Sequence, residues 1–428
     1  MAEDAPGWYT AGFENIWLPY TQMKTVTPPL AVASTSGTRI RLADGRELID
    51  GIASWWTACH GYNHPHIRAA AIAQLERLPH VMFGGLVQEP ALTLARRLAA
   101  LLPGDLDRVF FSDSGSVSVE IAMKMAIQYF INRGTRGRGK FLSFRHGYHG
   151  DTIGTMAVCD PDEGMHSLFT GLLPQHHVID LPLDPEKTEA FDRFVDAHGH
   201  EIAGILVEPL VQGAGGMKMH GPEVLRALRL AADRIGALLI FDEIFVGFGR
   251  TGSMFACAAV GVQPDIVTLS KALTGGTMAL AATIATRRVF DAFWDDRPSA
   301  ALMHGPTYMG NALACAVANA SLDLFETEPR LEQVAAIEGQ LKAQLPACRD
   351  LPGVVDVRVK GAIGVVQLDR IGDLNGLKRA FVEEGVWVRP FGDIVYLTPA
   401  FVATEDEIAT MTGAIRKVLA SRPKAERG

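Results

Sequence analysis

A lysine and an aspartate stand out because each closes a short apolar run: Lys271 follows DIVTLS, and Asp242 ends ALLIFD. Runs of this kind read as buried parallel strands, and in an open parallel sheet ligands sit outside the carboxyl ends of the strands. A lysine delivered there is partly desolvated, so more of its amine is neutral and able to condense with a carbonyl. Taken alone, Lys271 reads more readily as a solvated surface side chain, and Asp242 has a plain alternative as a loop anchor. Two strands that bring an amine and a carboxylate to one crevice favour chemistry, because Asp is seldom buried without a partner.

A third signal is SDSGSVSVE, residues 112–120, between the apolar run RVFFS and a long helical pattern. Backbone N–H groups, hydroxyls and the helix dipole there make an anion site; simple serine capping of the helix is the alternative. An anion for a protonated pyridine nitrogen, an amine for an aldehyde and an N–H cradle for a phosphate are together the protein's share of pyridoxal phosphate chemistry. A rival reading comes from Gly247, Gly249 and Gly252 in GFGRTG, which spell the dinucleotide fingerprint of an NAD-dependent dehydrogenase. That fingerprint needs a strand directly before it and a packed helix after it. Here FDEIFV intervenes and the segment that follows, SMFACAAVG, is short. Trp55, Trp56, Tyr148 and His149 lie beside glycines in SWWTACHGYNHP and RHGYHGDT, as pocket walls or as core filling. None of the 13 histidines falls in an H-E-x-x-H or comparable spacing, so no metal site is expected.

These residues need a scaffold, and the pattern along the 428-residue chain supplies one. From residue 65 to 319, apolar runs (RVFFS, KFLSF, HVIDL, AGILVEPL, ALLIFDE, DIVTLS, ALAATIA) alternate with helical stretches. This predicts an α/β domain, a mostly parallel sheet with helices on both faces. Residues 320–428 mix helices with antiparallel strand pairs, including one in VWVRPFGDIVYLTP, and read as a smaller α+β domain. Residues 1–64, with a hairpin signal at Asp44-Gly45, are expected to pack with it. The balance of 40 basic and 48 acidic residues, −8 overall, argues against a nucleic-acid binder. Cys59, Cys159, Cys257, Cys315 and Cys348 are scattered without a C-x-x-C pair, as expected of buried thiols in a reduced, cytoplasmic protein. The first twenty residues are acidic and lack an apolar run, so no signal peptide is expected. No segment approaches the roughly 20 apolar residues that span a bilayer.

FDEIFVGFGRTG, PDIVTLSKALTGG and GPTYMGN together resemble the class III, fold-type I aminotransferases that use pyridoxal phosphate, and the likeness runs from residue 14 to residue 420. Seven finer motifs occur in order: IWLPYTQM, GIASWWTACHGYNHP, DSGSVSVEIAMKMAIQY, FRHGYHGDTIGTMAVCDP, TGGTMALAAT, MHGPTYMGNALACA and VWVRPFGDIVYLTP. They are similar to the branch of that family that aminates 8-amino-7-oxononanoate from S-adenosylmethionine in biotin biosynthesis. Lysine as donor, and the ω-amino acid, ornithine or 4-aminobutyrate aminotransferases, are the alternatives inside the class. The resemblance implies that Lys271 bonds the cofactor and shuttles the proton, and that Asp242 pairs with the pyridine nitrogen. It places Gly115 and Ser116 on the phosphate and Tyr148 against the ring. Pro306 and Thr307 would reach the phosphate of the neighbouring subunit's cofactor, in a homodimer with shared sites. Tyr20, Trp55, Gly305 and Arg389 would contact substrate, with Trp56, Tyr148 and Phe391 as further walls. Arg389 would hold a carboxylate bidentately; a strand-end ion pair is its plain alternative.

Overall fold

The computed structural model describes residues 6–162, 164–169 and 171–422. The chain divides into two compact units, one of His66–Leu331 and the other of the residues up to Pro65 together with those from Glu332 onward.

The smaller unit begins with an antiparallel meander, β1 (Val32–Ser36), β2 (Arg39–Leu42) and β3 (Glu47–Asp50). The expected turn at Asp44-Gly45 joins β2 to β3: Gly45 takes φ 91°, and the Asp44 carboxylate accepts the Arg46 N–H at 3.0 Å. A second turn, at Gly37, joins β1 to β2.

In the larger unit the strands are β4 (Leu106–Ser112), β5 (Lys140–Phe144), β6 (His177–Ile179), β7 (Ile202–Val207), the short pair β8 (Val211–Gln212) and β9 (Lys218–Met219), β10 (Leu238–Asp242), β11 (Ile266–Leu269) and β12 (Ala281–Thr286). All but β8 and β9 form one sheet in the order β4-β12-β11-β10-β7-β5-β6. The pairs from β11 to β6 are parallel. Every residue of β7, β10, β11 and β12 is buried, as a sheet covered on both faces requires. β12 departs from the parallel pattern, running antiparallel to both β11 and β4. Only a short 3-10 turn, Lys271–Thr274, lies between β11 and β12. A parallel return needs a crossover of about a dozen residues or more, usually a helix. Because β12 reverses and β4 reverses again, β4 points the same way as β11, and its carboxyl end shares their edge.

The chain returns to the smaller unit with β13 (Val354–Lys360), β14 (Ile363–Leu368), β15 (Val386–Trp387) and β16 (Ile394–Leu397). β13, β14 and β16 form an antiparallel sheet. The strands in VWVRPFGDIVYLTP do not pair with each other. β15 lies parallel to β3, with Trp387 beside Asp50, while β16 pairs with β14. Pro390 has no N–H to give a continuing ladder, so the reversal is confined to Phe391–Ile394, whose backbones bond reciprocally at 3.3 and 3.0 Å. Arg389 and Phe391 are therefore carried on the connector between two sheets. Among the described residues no helix is long and apolar enough to cross a membrane.

Candidate active site

Parallel register sets Phe241 beside Val207 and Asp242 beside Thr268. Glu208, Asp242 and Lys271 thus leave the carboxyl ends of the adjacent strands β7, β10 and β11. Asp242 is buried, and its oxygens are taken up by His149 Nδ1 at 2.8 Å, the Ile244 N–H at 3.1 Å and the Thr268 hydroxyl at 3.3 Å. Lys271 sits at φ +46°, a left-handed conformation that costs a side-chain-bearing residue roughly 1–2 kcal/mol. Burial pushes its amine below the ordinary lysine value, while the charges of Asp242, Glu208 and Asp151 pull the other way. A lysine held in that balance is a better nucleophile than a solvated one. Glu208 is buried, and burial raises its carboxyl to about 7, with Asp242 adding to the rise and His149 opposing it. It accepts the N–H groups of Tyr148 at 3.0 Å and Gly213 at 2.8 Å.

The loop after β5 carries Tyr148 and His149, and it packs tightly on the loop after β4. The Ser116 hydroxyl accepts the Asp151 N–H at 3.2 Å. A Cβ on Gly150, at φ +132°, would stand 2.3 Å from the Ser116 oxygen, so only glycine fits there. Ser114 caps the helix Gly115–Asn132 by accepting the Val117 N–H at 3.3 Å. The first N–H groups of that helix, including those of Gly115 and Ser116, have no partner within it and attract an anion. This donor set fits pyridoxal phosphate: a buried carboxylate for a ring N–H, a desolvated amine for the aldehyde, and a helix N-terminus for the phosphate.

A second group lies within the smaller unit. Ala53, Ser54, Trp55 and Trp56 have φ of 45°, 50°, 58° and 74°, one turn of left-handed helix built from residues with side chains. Asp50 holds it. Its carboxylate accepts the Ile52 N–H at 2.9 Å, the Ser54 N–H at 2.8 Å and the Tyr62 hydroxyl at 2.6 Å. Burial nevertheless pushes the Asp50 carboxyl up and, with the Asp50 charge, pushes the Tyr62 phenol up. The turn presents Trp55, whose ring lies 4.5 Å under the Arg389 guanidinium and 6.4 Å edge-on from Tyr20. Burial lowers the Arg389 value, against the pull of Tyr396 and Tyr20.

Lys271, Asp242 and Tyr148 therefore meet at one sheet edge with the Gly115–Ser116 helix start, and Tyr20, Trp55 and Arg389 meet in the smaller unit. Trp56 does not present a wall. It is 7% exposed and packs edge-on against Tyr396 at 6.3 Å, because the left-handed turn sends it inward behind Trp55. Phe391 also packs edge-on against Tyr396, at 5.3 Å. Gly305, Pro306 and Thr307 are positioned from elsewhere in the larger unit. The loop that carries them is tied to the 79–88 segment through Asn311 to the Pro79 carbonyl at 3.3 Å and Gln88 to the Gly310 carbonyl, and Thr307 is exposed. GFGRTG is a turn buried up to Thr251 and exposed at Gly252, with no strand directly before it and a five-residue helix, Ala256–Val260, after it. Glu243 anchors it by accepting the Ala256 and Cys257 N–H groups at 2.7 and 2.8 Å. Sequence reasoning missed Glu208, although the apolar run AGILV is followed by a carboxylate just as ALLIF is. It also missed Asp50, which carries no local signal.

The class III aminotransferase family model matches residues 20–419. The adenosylmethionine-8-amino-7-oxononanoate aminotransferase of Mycobacterium leprae is 45% identical over 413 residues, covering 94% of this chain and 94% of its own. That of Buchnera aphidicola from Acyrthosiphon pisum is 42% identical over 414 residues, covering 95% and 96%. Among solved structures, the adenosylmethionine-8-amino-7-oxononanoate aminotransferase of Methanocaldococcus jannaschii superposes with a TM-score of 0.90 at 31% identity, covering 96% of this chain and 98% of its own. An amine transaminase from an uncultivated Pseudomonas species, in its PLP-bound form, gives 0.88 at 33% identity, covering 95% and 98%.

The clamp on the left-handed turn is open to measurement. Asp50→Ala removes a charged acceptor from three donors and should cost about 3 kcal/mol or more in denaturant unfolding, whereas Tyr62→Phe removes one such bond and should cost about 1.5 kcal/mol. Equal costs, or none, would show that Asp50 does not hold the turn.

Proposed function

The chain belongs to the class III aminotransferases, and from that premise we propose that it transfers the amino group of S-adenosylmethionine to 8-amino-7-oxononanoate, giving 7,8-diaminononanoate in biotin biosynthesis. It is a pyridoxal-phosphate-dependent transaminase. The observation that carries the chemistry is the delivery of Asp242 and Lys271 to one edge by adjacent parallel strands.

When bound, pyridoxal phosphate supplies the electron sink and carries the amino group between two half-reactions. Asp242, kept oriented by His149, would face the ring nitrogen. The N–H groups of Gly115 and Ser116 would bind the phosphate, and Tyr148 would cover the ring. Lys271 Nζ would hold the aldehyde carbon at rest. Freed by the donor amine, Nζ would take the proton from the donor α-carbon as general base and would pass it, as general acid, to the former aldehyde carbon. The same nitrogen serves the acceptor half-reaction in reverse, so the kinetics are ping-pong. Glu208, titrating near neutrality, lies close enough to adjust the charge around Lys271.

Substrate binding follows from the smaller unit. 8-Amino-7-oxononanoate is an apolar chain with a carboxylate at one end, and Arg389 flanked by Trp55 and Tyr20 matches that end. The face of Trp55 under Arg389 is taken by the guanidinium, so the sulfonium of S-adenosylmethionine is left to Tyr20 and the other face of Trp55. Such a contact contributes roughly 0.5–2 kcal/mol. The family resemblance implies that Gly305 would contact substrate as well.

The active unit is a homodimer in which Pro306 and Thr307 reach the neighbouring subunit's cofactor phosphate. Support comes from the exposed apolar surface around that loop: Met303 and Tyr308 on it, and Met82, Leu86 and Val87 on the segment to which it is tied. Five buried thiols suit a reducing compartment, and we place the protein in the cytoplasm.

Three experiments test this reading. Adding each donor separately to the aldehyde form should bleach its absorbance with S-adenosylmethionine, and 8-amino-7-oxononanoate should then restore it. Lys271→Ala should do neither. Bleaching by lysine alone would move the donor assignment, and restoration only by other ketones would move the acceptor. Arg389→Ala should weaken acceptor binding by roughly 2–5 kcal/mol, and unchanged acceptor kinetics would mean another group holds the carboxylate. Mixed dimers of inactive Lys271→Ala and inactive Thr307→Ala subunits should regain partial activity; mixed dimers that stay silent would count against shared sites.

A further inference from the structure

We propose that His177, His198 and Glu201 form a binding site for a divalent transition-metal ion of the zinc type. The His177 Nε2 and His198 Nδ1 atoms each lie 3.1 Å from the same Glu201 oxygen. The three potential ligand atoms all lie within 4.8 Å of one another. Imidazole nitrogens bind zinc at about 2.0–2.1 Å and carboxylate oxygens at about 2.0–2.2 Å, so ligands of one tetrahedral ion stand roughly 3.3–3.5 Å apart. Small side-chain rotations bring the cluster to that spacing. Two imidazoles and a carboxylate are a borderline-soft donor set suited to zinc, cobalt or nickel rather than to calcium or magnesium, with water for the remaining position.

The three residues are held before any ion arrives. His177 opens β6 and pairs in register with Leu142 of β5. His198 ends the helix Pro185–His198, whose C-terminal dipole favours a cation. Glu201 leads into β7, and its carbonyl accepts the N–H groups of Gly139 and Lys140 at 3.1 and 3.0 Å. Phe194 stacks on the His198 ring at 4.5 Å and meets His177 edge-on at 5.1 Å, limiting both rings' rotation. No metal site was expected from the histidine spacing, because His177 is far from His198 and Glu201 in sequence. The pairing of β5 with both β6 and β7 brings it beside them.

The site lies at the opposite end of β7 from Glu208, roughly 20 Å away along the strand. Metal bound there ties the helix end to two strand starts and stabilises the folded chain by mass action, without entering the transamination site. The test uses chelator-washed holoenzyme titrated with zinc chloride by calorimetry and thermal unfolding, with cobalt(II) as a spectroscopic probe. The expected results are one site per chain, a rise in unfolding temperature, a tetrahedral cobalt spectrum and unchanged turnover. Removing one ligand should weaken binding by roughly tenfold or more, in His177→Ala, in His198→Ala and in the near-isosteric Glu201→Gln. Glu201→Gln guards against a variant that merely fails to fold, since it should keep the metal-free unfolding temperature of the parent. No zinc binding by the parent protein, or equal binding by all three variants, would overturn the proposal.

Discussion

Everything in the larger unit depends on charges placed at the ends of fully apolar strands. Glu208, Asp242 and Lys271 would each be costly there alone, because a buried charge without a partner loses its hydration for nothing. Together, Asp242 and Glu208 favour the charged form of Lys271 and His149 bonds Asp242, while the Asp242 charge adds to the cost of ionising Glu208. The same low-dielectric surroundings lower the lysine amine and raise the glutamate to about 7, the kind of perturbation that gathers at functional sites.

Around that set the backbone is arranged to let loops approach closely. Gly150 has no room for a side chain against Ser116, and Glu243 pins the glycine loop from beneath. The smaller unit uses a different device for a similar end. Asp50 stabilises a turn that its own sequence disfavours, and the turn brings Trp55 under Arg389. Strain of this sort persists only where surrounding bonds over-determine it.

The reversal of β12 shows how connection length governs topology. An apolar run by itself does not reveal its direction, and ALAATIA reads like its parallel neighbours. What decides is the lack of a crossover helix after Lys271. The same argument explains why VWV and DIVYL separate: each finds a different ladder, and Arg389 is left on the span between them.

The strands, the helices around them and the strand-end positions of Asp242 and Lys271 were legible in the sequence, because apolar runs and periodicity are local properties. The helix start at Gly115 and the turn at Asp44-Gly45 were legible for the same reason, as capping and turn chemistry act over a few residues. The partnership of His149 with Asp242, the nearness of Glu208 and the clamp of Asp50 on Trp55 were decided only in three dimensions. So were the inward turn of Trp56 and the meeting of His177 with His198 and Glu201. Each of these depends on strand order or on which face of a turn looks inward, and both follow from the packing of segments distant in the chain.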